Sequence, residues 1–174
     1  MRHDAPAFEV RQSTPGEAAA NDGRSLVDDL LGLSAVSEPF RFVLVETSHP
    51  GNIGAVARAL KNMSLEELVL VRPVHFPHPE ASARASGAED LLKHVRVEPT
   101  LEAALEGCGL VLATTSRERD QYFQVLDVRA AAARAVEAAR QAPVALLFGS
   151  ERAGLTNSEL ESALALVRIP ANPI

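Results

Sequence analysis

The sequence predicts an α/β fold in which a parallel sheet is flanked by helices. Short apolar runs of four to six residues recur along the chain, separated by longer amphipathic stretches. The runs are apolar throughout rather than alternating, the pattern of strands covered on both faces. Polar turns containing Gly, Pro, Ser or Asn follow several of them, and strand–helix alternation of this kind forms parallel sheets with right-handed crossovers.

Residues 1–38 mix Pro, Gly, Ser, Ala and acids without sustained periodicity and read as a flexible N-terminal extension, with one short helix at 25–31. Pro39 opens the domain, residues 39–174. Its first strand is expected at 41–46, followed by a turn through Pro50 and Gly51 and a helix at 53–63 whose core face is Ile53, Val56, Ala57 and Leu60. A strand at 67–71, a helix at 81–92 and a strand at 95–98 come next. Thr100 starts a helix at 101–106, Glu102 suits its N-terminal half, and Gly107 ends it. A strand at 110–114, a helix at 129–141 and a strand at 144–148 follow. Thr156 and Glu159 form a capping-box pattern at the start of a helix at 157–163, and the last strand is expected at 165–169.

A chain of 174 residues, 47% hydrophobic, can bury the core of one domain. No run approaches the roughly 20 apolar residues of a membrane span, and the N-terminus has neither a secretory nor a transit-peptide pattern. The single cysteine, Cys108, excludes an internal disulfide. The histidines at 3, 49, 75, 78 and 94 show no metal-ligand spacing. The expectation is a cytoplasmic domain without membrane segment or metal. Net charge is −6, a mild argument against a nucleic-acid partner. Residues 1–38, however, hold 3 basic and 7 acidic side chains, against 14 and 16 in residues 39–174. The body is nearly balanced, which leaves room for a local basic face.

Ligands of parallel sheets bind outside the carboxyl ends of the strands, so the loops after the strands at 41–46, 110–114 and 144–148 are expected to share one rim. In the first loop, Asn52 either caps the helix or presents its amide, Pro50 and Gly51 make the turn, and Gly54 allows close packing. Arg58 lies one turn after Gly54, so its guanidinium reaches back past a residue with no side chain. It suits a phosphate, or is simply solvated. His49 is a possible base, although a turn histidine beside Pro is more often incidental. The second loop, Thr114-Thr115-Ser116-Arg117, offers three hydroxyls for a polar ligand or for its own backbone. Arg117 and Arg119 add positive charge there, and Gln121-Tyr122-Phe123 is an aromatic contact for a base or a hydrophobic flap. In the third loop, Gly149 permits close approach of a ligand and Gly154 suggests positive φ. Glu151 favours a helix N-terminus or orients the loop. Ile169-Pro170-Ala171-Asn172-Pro173 by itself predicts only an extended exit.

Together these segments resemble the SpoU-type RNA 2′-O-methyltransferases of the SPOUT superfamily, and within it the TrmJ-type tRNA methyltransferases. The first family motif is matched by Asn52-Ile53-Gly54-Ala55-Val56-Ala57-Arg58, the second by Phe148 to Leu155, and the opening of the third by Ile169 to Pro173. The resemblance covers about residues 40–174. It implies a C-terminal trefoil knot, S-adenosylmethionine bound in the knot, and a homodimer whose chains complete each site. Carried over by position, Arg58, Asn52 and Glu151 are implied as catalytic. Thr114, Thr115, Ser116, Gly149 and Ile169 are implied as cofactor contacts. The implied substrate is tRNA, at a cytidine or uridine in position 32 of the anticodon loop. In the family a Ser-Leu-Asn run and a knot-closing helix follow the third motif. The sequence given ends at Ile174, so the C-terminal end of the domain is expected to be incomplete. Two alternatives stand beside this reading. One is a non-catalytic RNA-binding or assembly protein of the same fold. The other is a flavodoxin-like nucleotide-binding domain, against which no GxGxxG or P-loop pattern occurs.

Overall fold

In the computed structural model, which describes residues 39–115 and 123–170, seven parallel strands form one sheet. They are β1 (Phe40–Val45), β2 (Leu68–Val71), β3 (Arg96–Glu98), β4 (Leu110–Thr115), β5 (Gln124–Asp127), β6 (Val144–Phe148) and β7 (Ala165–Arg168), arranged β3-β2-β1-β6-β4-β7-β5. The helices are α1 (Pro50–Asn62), α2 (Pro79–Ala85), α3 (Glu89–His94), α4 (Leu101–Leu105), α5 (Val128–Ala139) and α6 (Asn157–Leu160). The expected alternation and parallel sheet are present.

Both faces of the central strands are buried, which is why their sequences do not alternate. Leu44, Leu68 and Leu70 pack under Ile53, Ala57 and Leu60 of α1 and Ala81 and Ala85 of α2. Val43, Val45, Val69 and Val71 point the other way, toward Leu101 and Ala104 of α4 and Leu160 of α6. Ala131, Ala135 and Ala139 of α5 cover Leu110, Leu112, Val144 and Val167. The core face expected for the first helix holds, with Val56 at its partly buried margin. Thr100 caps α4 through Ala103 N, and Thr156 and Glu159 form the expected capping box.

Three expectations need correction. The helix expected at 81–92 is two helices, because Ser86 and Gly87 adopt left-handed conformations (φ 44° and 93°) that end α2 and turn the chain into α3. The strand β5 was not expected; among the described residues it pairs only with β7, and Gln124, Val125 and Asp127 are exposed. Finally, α1 starts at Pro50, not Ile53, with His49 as its N-cap. The residues before Pro39, read as an extension, lie outside the described residues, as do Ser116, Arg117, Arg119, Gln121, Tyr122 and Asn172.

At the amino ends of the strands lies a buried ion cluster that sequence inspection passed over. Arg41 Nε donates to Glu67 Oε1 at 2.5 Å, and its Nη1 donates to the carbonyls of Ala104 (2.9 Å) and Glu106 (2.8 Å), capping the end of α4. Arg96 adds bonds to Glu67 (3.2 Å) and Glu98 (3.0 Å). Removing one partner of such a buried set strands the others, so Arg41→Ala is expected to cost about 3 kcal/mol of unfolding free energy in urea titration. A loss under roughly 1 kcal/mol, the value of an exposed pair, would contradict this role.

Candidate functional site

β1 and β6 are neighbours, and the chain leaves them in opposite directions, β1 toward β2 and β6 toward β7. This divergence opens a crevice at their carboxyl ends. There the loop after β6 meets the loop after β1 through one side chain, Glu151. Its Oε2 accepts hydrogen bonds from Ser48 N (3.0 Å) and Ser48 Oγ (2.8 Å); its Oε1 accepts from His49 N (3.3 Å) and Asn52 Nδ2 (2.8 Å). Partial burial pushes this carboxyl up, but the Ser48 and Asn52 donors outweigh it and hold the pKa at about 2. A carboxylate so stabilised does not accept a proton near neutral pH. It holds the start of α1 in place.

Asn52 therefore spends its amide on Glu151, and the capping of α1 falls to His49, whose Nδ1 accepts from Gly51 N at 3.2 Å. The bare side of Gly54 is not a lane for Arg58. A Cβ there would lie 2.0 Å from the Ala81 carbonyl oxygen, so the space is filled by α2. Arg58 itself is exposed on α1.

The ladder between β4 and β6 ends at Ala113 and Leu147, whereas β4 and β7 remain paired to Thr115 and Arg168. The sheet thus opens between β4 and β6, and Thr114 Oγ1 spans the opening by donating to Leu147 O at 2.9 Å. Over it lies a cavity of about 290 Å³, lined by Thr114, Thr115, Phe148, Gly149, Leu155 and Ile169 with Ser150 to Gly154 along one side. It is at the lower end of the size range of small-molecule sites. Phe148 stacks on Phe42 of β1 with ring centroids 6.3 Å apart. Gly149 is required by its own loop, since a Cβ there would lie 2.2 Å from Gly154 C. That loop closes on itself through Gly154 N to Ser150 O (2.9 Å), and Gly154 has the expected positive φ of 68°. Five of the residues singled out by sequence, Thr114, Thr115, Gly149, Glu151 and Ile169, line this one cavity; among the described residues, Arg58 and Asn52 do not.

Sequence reasoning missed Ser48 and Arg72. Arg72, in the left-handed region at the end of β2 (φ 48°), donates through Nε to Glu46 Oε1 and through Nη2 to Glu159 Oε1, both at 3.0 Å. Glu159 Oε2 in turn accepts from Thr156 N at 2.8 Å. The cavity loop is thus fastened within its turn by Glu151 and beyond it by Arg72. For Arg72→Ala, hydrogen exchange at the Gly154 and Leu160 amides is expected to speed up about tenfold while Val69 in β2 is unchanged. Equal acceleration at all three would mean global destabilisation instead.

Among the described residues no group of three or more His, Cys, Asp or Glu is placed to hold a metal ion, and no helix is long and apolar enough to cross a membrane. The SpoU rRNA Methylase family matches residues 39–174. The chain is 54% identical over 134 residues to the tRNA (cytidine/uridine/adenosine-2′-O-)-methyltransferase TrmJ of Pseudomonas aeruginosa, covering 76% of this chain and 52% of that protein. The chain thus spans about half the length of this curated relative. Among solved structures, a probable methyltransferase from Bordetella pertussis superposes with TM-score 0.72 at 44% identity, covering 78% of this chain and 84% of that one. TrmJ from Z. mobilis superposes with TM-score 0.71 at 38% identity, covering 76% and 59%. A match that takes in every described strand and both rim loops makes the chain a member of the SpoU methylase family.

Proposed function

We propose that this chain is the methyl-transfer domain of an S-adenosylmethionine-dependent tRNA ribose 2′-O-methyltransferase, acting on a cytidine or uridine at position 32 of the anticodon loop. The observation that carries the reading is the Glu151 clamp, which joins the two family motifs, far apart in sequence, at the mouth of one cavity. The substrate class follows the relatives named as tRNA methyltransferases. The position follows the motif resemblance, and an exposed loop nucleotide is easier to engage than one stacked in a duplex.

The cavity fits the methyl donor: Phe148, Leu155 and Ile169 give apolar walls for its nucleoside, and Thr114, Thr115 and the Gly149 backbone give polar contacts. Ser116, outside the described residues, is assigned to the same contact set. Bound there, S-adenosylmethionine supplies a methyl group on a sulfonium, already an excellent leaving group. The protein's task is then alignment and management of the hydroxyl proton. A guanidinium keeps its proton at accessible pH, so Arg58 is not the base. It grips the phosphate beside the target ribose and stabilises developing alkoxide charge, and the proton passes to that phosphate or to water. Asn52 and Glu151 hold the start of α1. The family resemblance implies that two chains complete each site, and on that basis Arg58, exposed on α1, is assigned to the cavity of a second copy in a homodimer. Insertion of β7 between β4 and β5, which are consecutive along the chain, supports a knotted C-terminal segment.

Calorimetric titration with S-adenosylmethionine, followed by transfer of labelled methyl to tRNA, tests the reading; RNA binding with no donor binding would favour a non-catalytic protein of the same fold. Arg58→Lys keeps the charge but loses the two-pronged fork, and turnover is expected to fall on the order of 100-fold. Turnover within a few-fold of wild type would remove Arg58 from the mechanism.

A further inference from the structure

Of the described residues lining the cavity, two are charged, Glu151 and Arg152. They are adjacent in sequence but are not paired. Both Glu151 oxygens are occupied by Ser48, His49 and Asn52. Arg152 makes no hydrogen bond or ion pair with any described residue and is exposed at the cavity mouth. Its backbone is held in a tight turn, closed by Gly154 N to Ser150 O at 2.9 Å and by Ala153 N to Ser150 Oγ at 3.3 Å. A fixed Cα thus carries an always-charged fork whose neighbouring carboxylate is already committed elsewhere. A guanidinium so placed matches a planar or tetrahedral oxyanion through two parallel N–H donors.

We propose that Arg152 is the oxyanion-holding residue of this cavity. The inference rests on the methyltransferase reading, which brings two oxyanions to the site: the carboxylate of the methyl donor and a phosphate of the RNA. Either offers the same chemistry to the fork. Arg152 serves its own chain's cavity, a role separate from that of Arg58.

The test compares wild-type protein with Arg152→Gln and Arg152→Lys. Three affinities are measured: for S-adenosylmethionine, for its decarboxylated analogue, and for a tRNA transcript across a salt series. Arg152→Gln is expected to weaken one ligand about tenfold and Arg152→Lys to weaken it less, because lysine keeps the charge without the fork. If the donor weakens while the decarboxylated analogue binds Gln variant and wild type alike, the carboxylate is the partner. If RNA weakens and the slope of log affinity on log salt becomes shallower by about 1, the partner is a phosphate. Donor and RNA affinities both within twofold of wild type, in a Gln variant of unchanged melting temperature, overturn the proposal. Wild-type protein that binds RNA but no donor would sink the methyltransferase reading and leave the RNA comparison to decide Arg152. Wild-type protein that binds neither sinks both.

Discussion

Glu151→Gln is expected to reduce methyl transfer on the order of 100-fold while leaving the protein folded. The two side chains have the same shape, so the effect comes from hydrogen-bond polarity. Each Glu151 oxygen accepts one backbone N–H, Ser48 N on one and His49 N on the other. Glutamine turns one of those acceptors into an NH₂ group, and in either orientation a backbone donor then faces another donor. Ser48 Oγ and the Asn52 amide can rotate to adapt, but the backbone groups cannot. The start of α1 is released, and with it the alignment of Asn52 and Arg58. The same substitution has a signature in stability. The Glu151 pKa is lowered from the usual 4.5 to about 2 in the folded protein. Its stabilisation is therefore fully present above pH 4.5 and is lost as pH falls toward 2. Urea titrations across that window should show wild type losing stability that Glu151→Gln has already lost, so the two curves converge on acidification. Curves that run parallel, or a Gln variant with wild-type turnover, would rule out the clamp.

The strands at the centre of the sheet were legible because burial on both faces leaves only apolar positions, as in the wholly buried run Val69, Leu70 and Val71. The strand β5 was hidden by the opposite circumstance: at the sheet edge Gln124, Val125 and Asp127 face solvent, so no apolar run marks it. The rim itself followed from strand polarity, since parallel strands bring their loops to one end. The contacts within it did not. Glu151 and Ser48 are 103 positions apart, and nothing local distinguishes a carboxylate that clamps a distant turn from one that favours the next helix. Local rules also pointed to the wrong cap. Asn is the better capping residue in general, yet here Glu151 takes the Asn52 amide and a histidine ring nitrogen serves α1. Arg41 was passed over because a single charge at the start of an apolar run gives no sign that Glu67 and the end of α4 wait for it.

Gly54→Ala is expected to destabilise the protein by about 4 kcal/mol, beyond the usual 1–3 kcal/mol of overpacking. Propensity alone points the other way, since Ala is favoured over Gly inside a helix by about 1 kcal/mol. Geometry decides the sign. The added Cβ would lie 2.0 Å from Ala81 O and 2.9 Å from both Ala81 C and Ala85 N. These are backbone atoms of α2 with no rotamer to retreat into, so relief requires α1 and α2 to part by more than about 1 Å, an opening that close-packed interiors do not absorb cheaply. Ala81 and Ala85, both buried, are already small, so the contact has no side chain left to trim. It follows that Ala81→Gly does not rescue Gly54→Ala, whereas a side-chain clash would be relieved by it. The consequence reaches the site, because α1 carries Asn52, whose bond to Glu151 is 2.8 Å and tolerates no such displacement. Chemical denaturation of the single and double variants distinguishes the cases. A Gly54→Ala protein as stable as wild type would mean that the helices do not meet through their backbones, and rescue by Ala81→Gly would move the obstruction to the Ala81 methyl group.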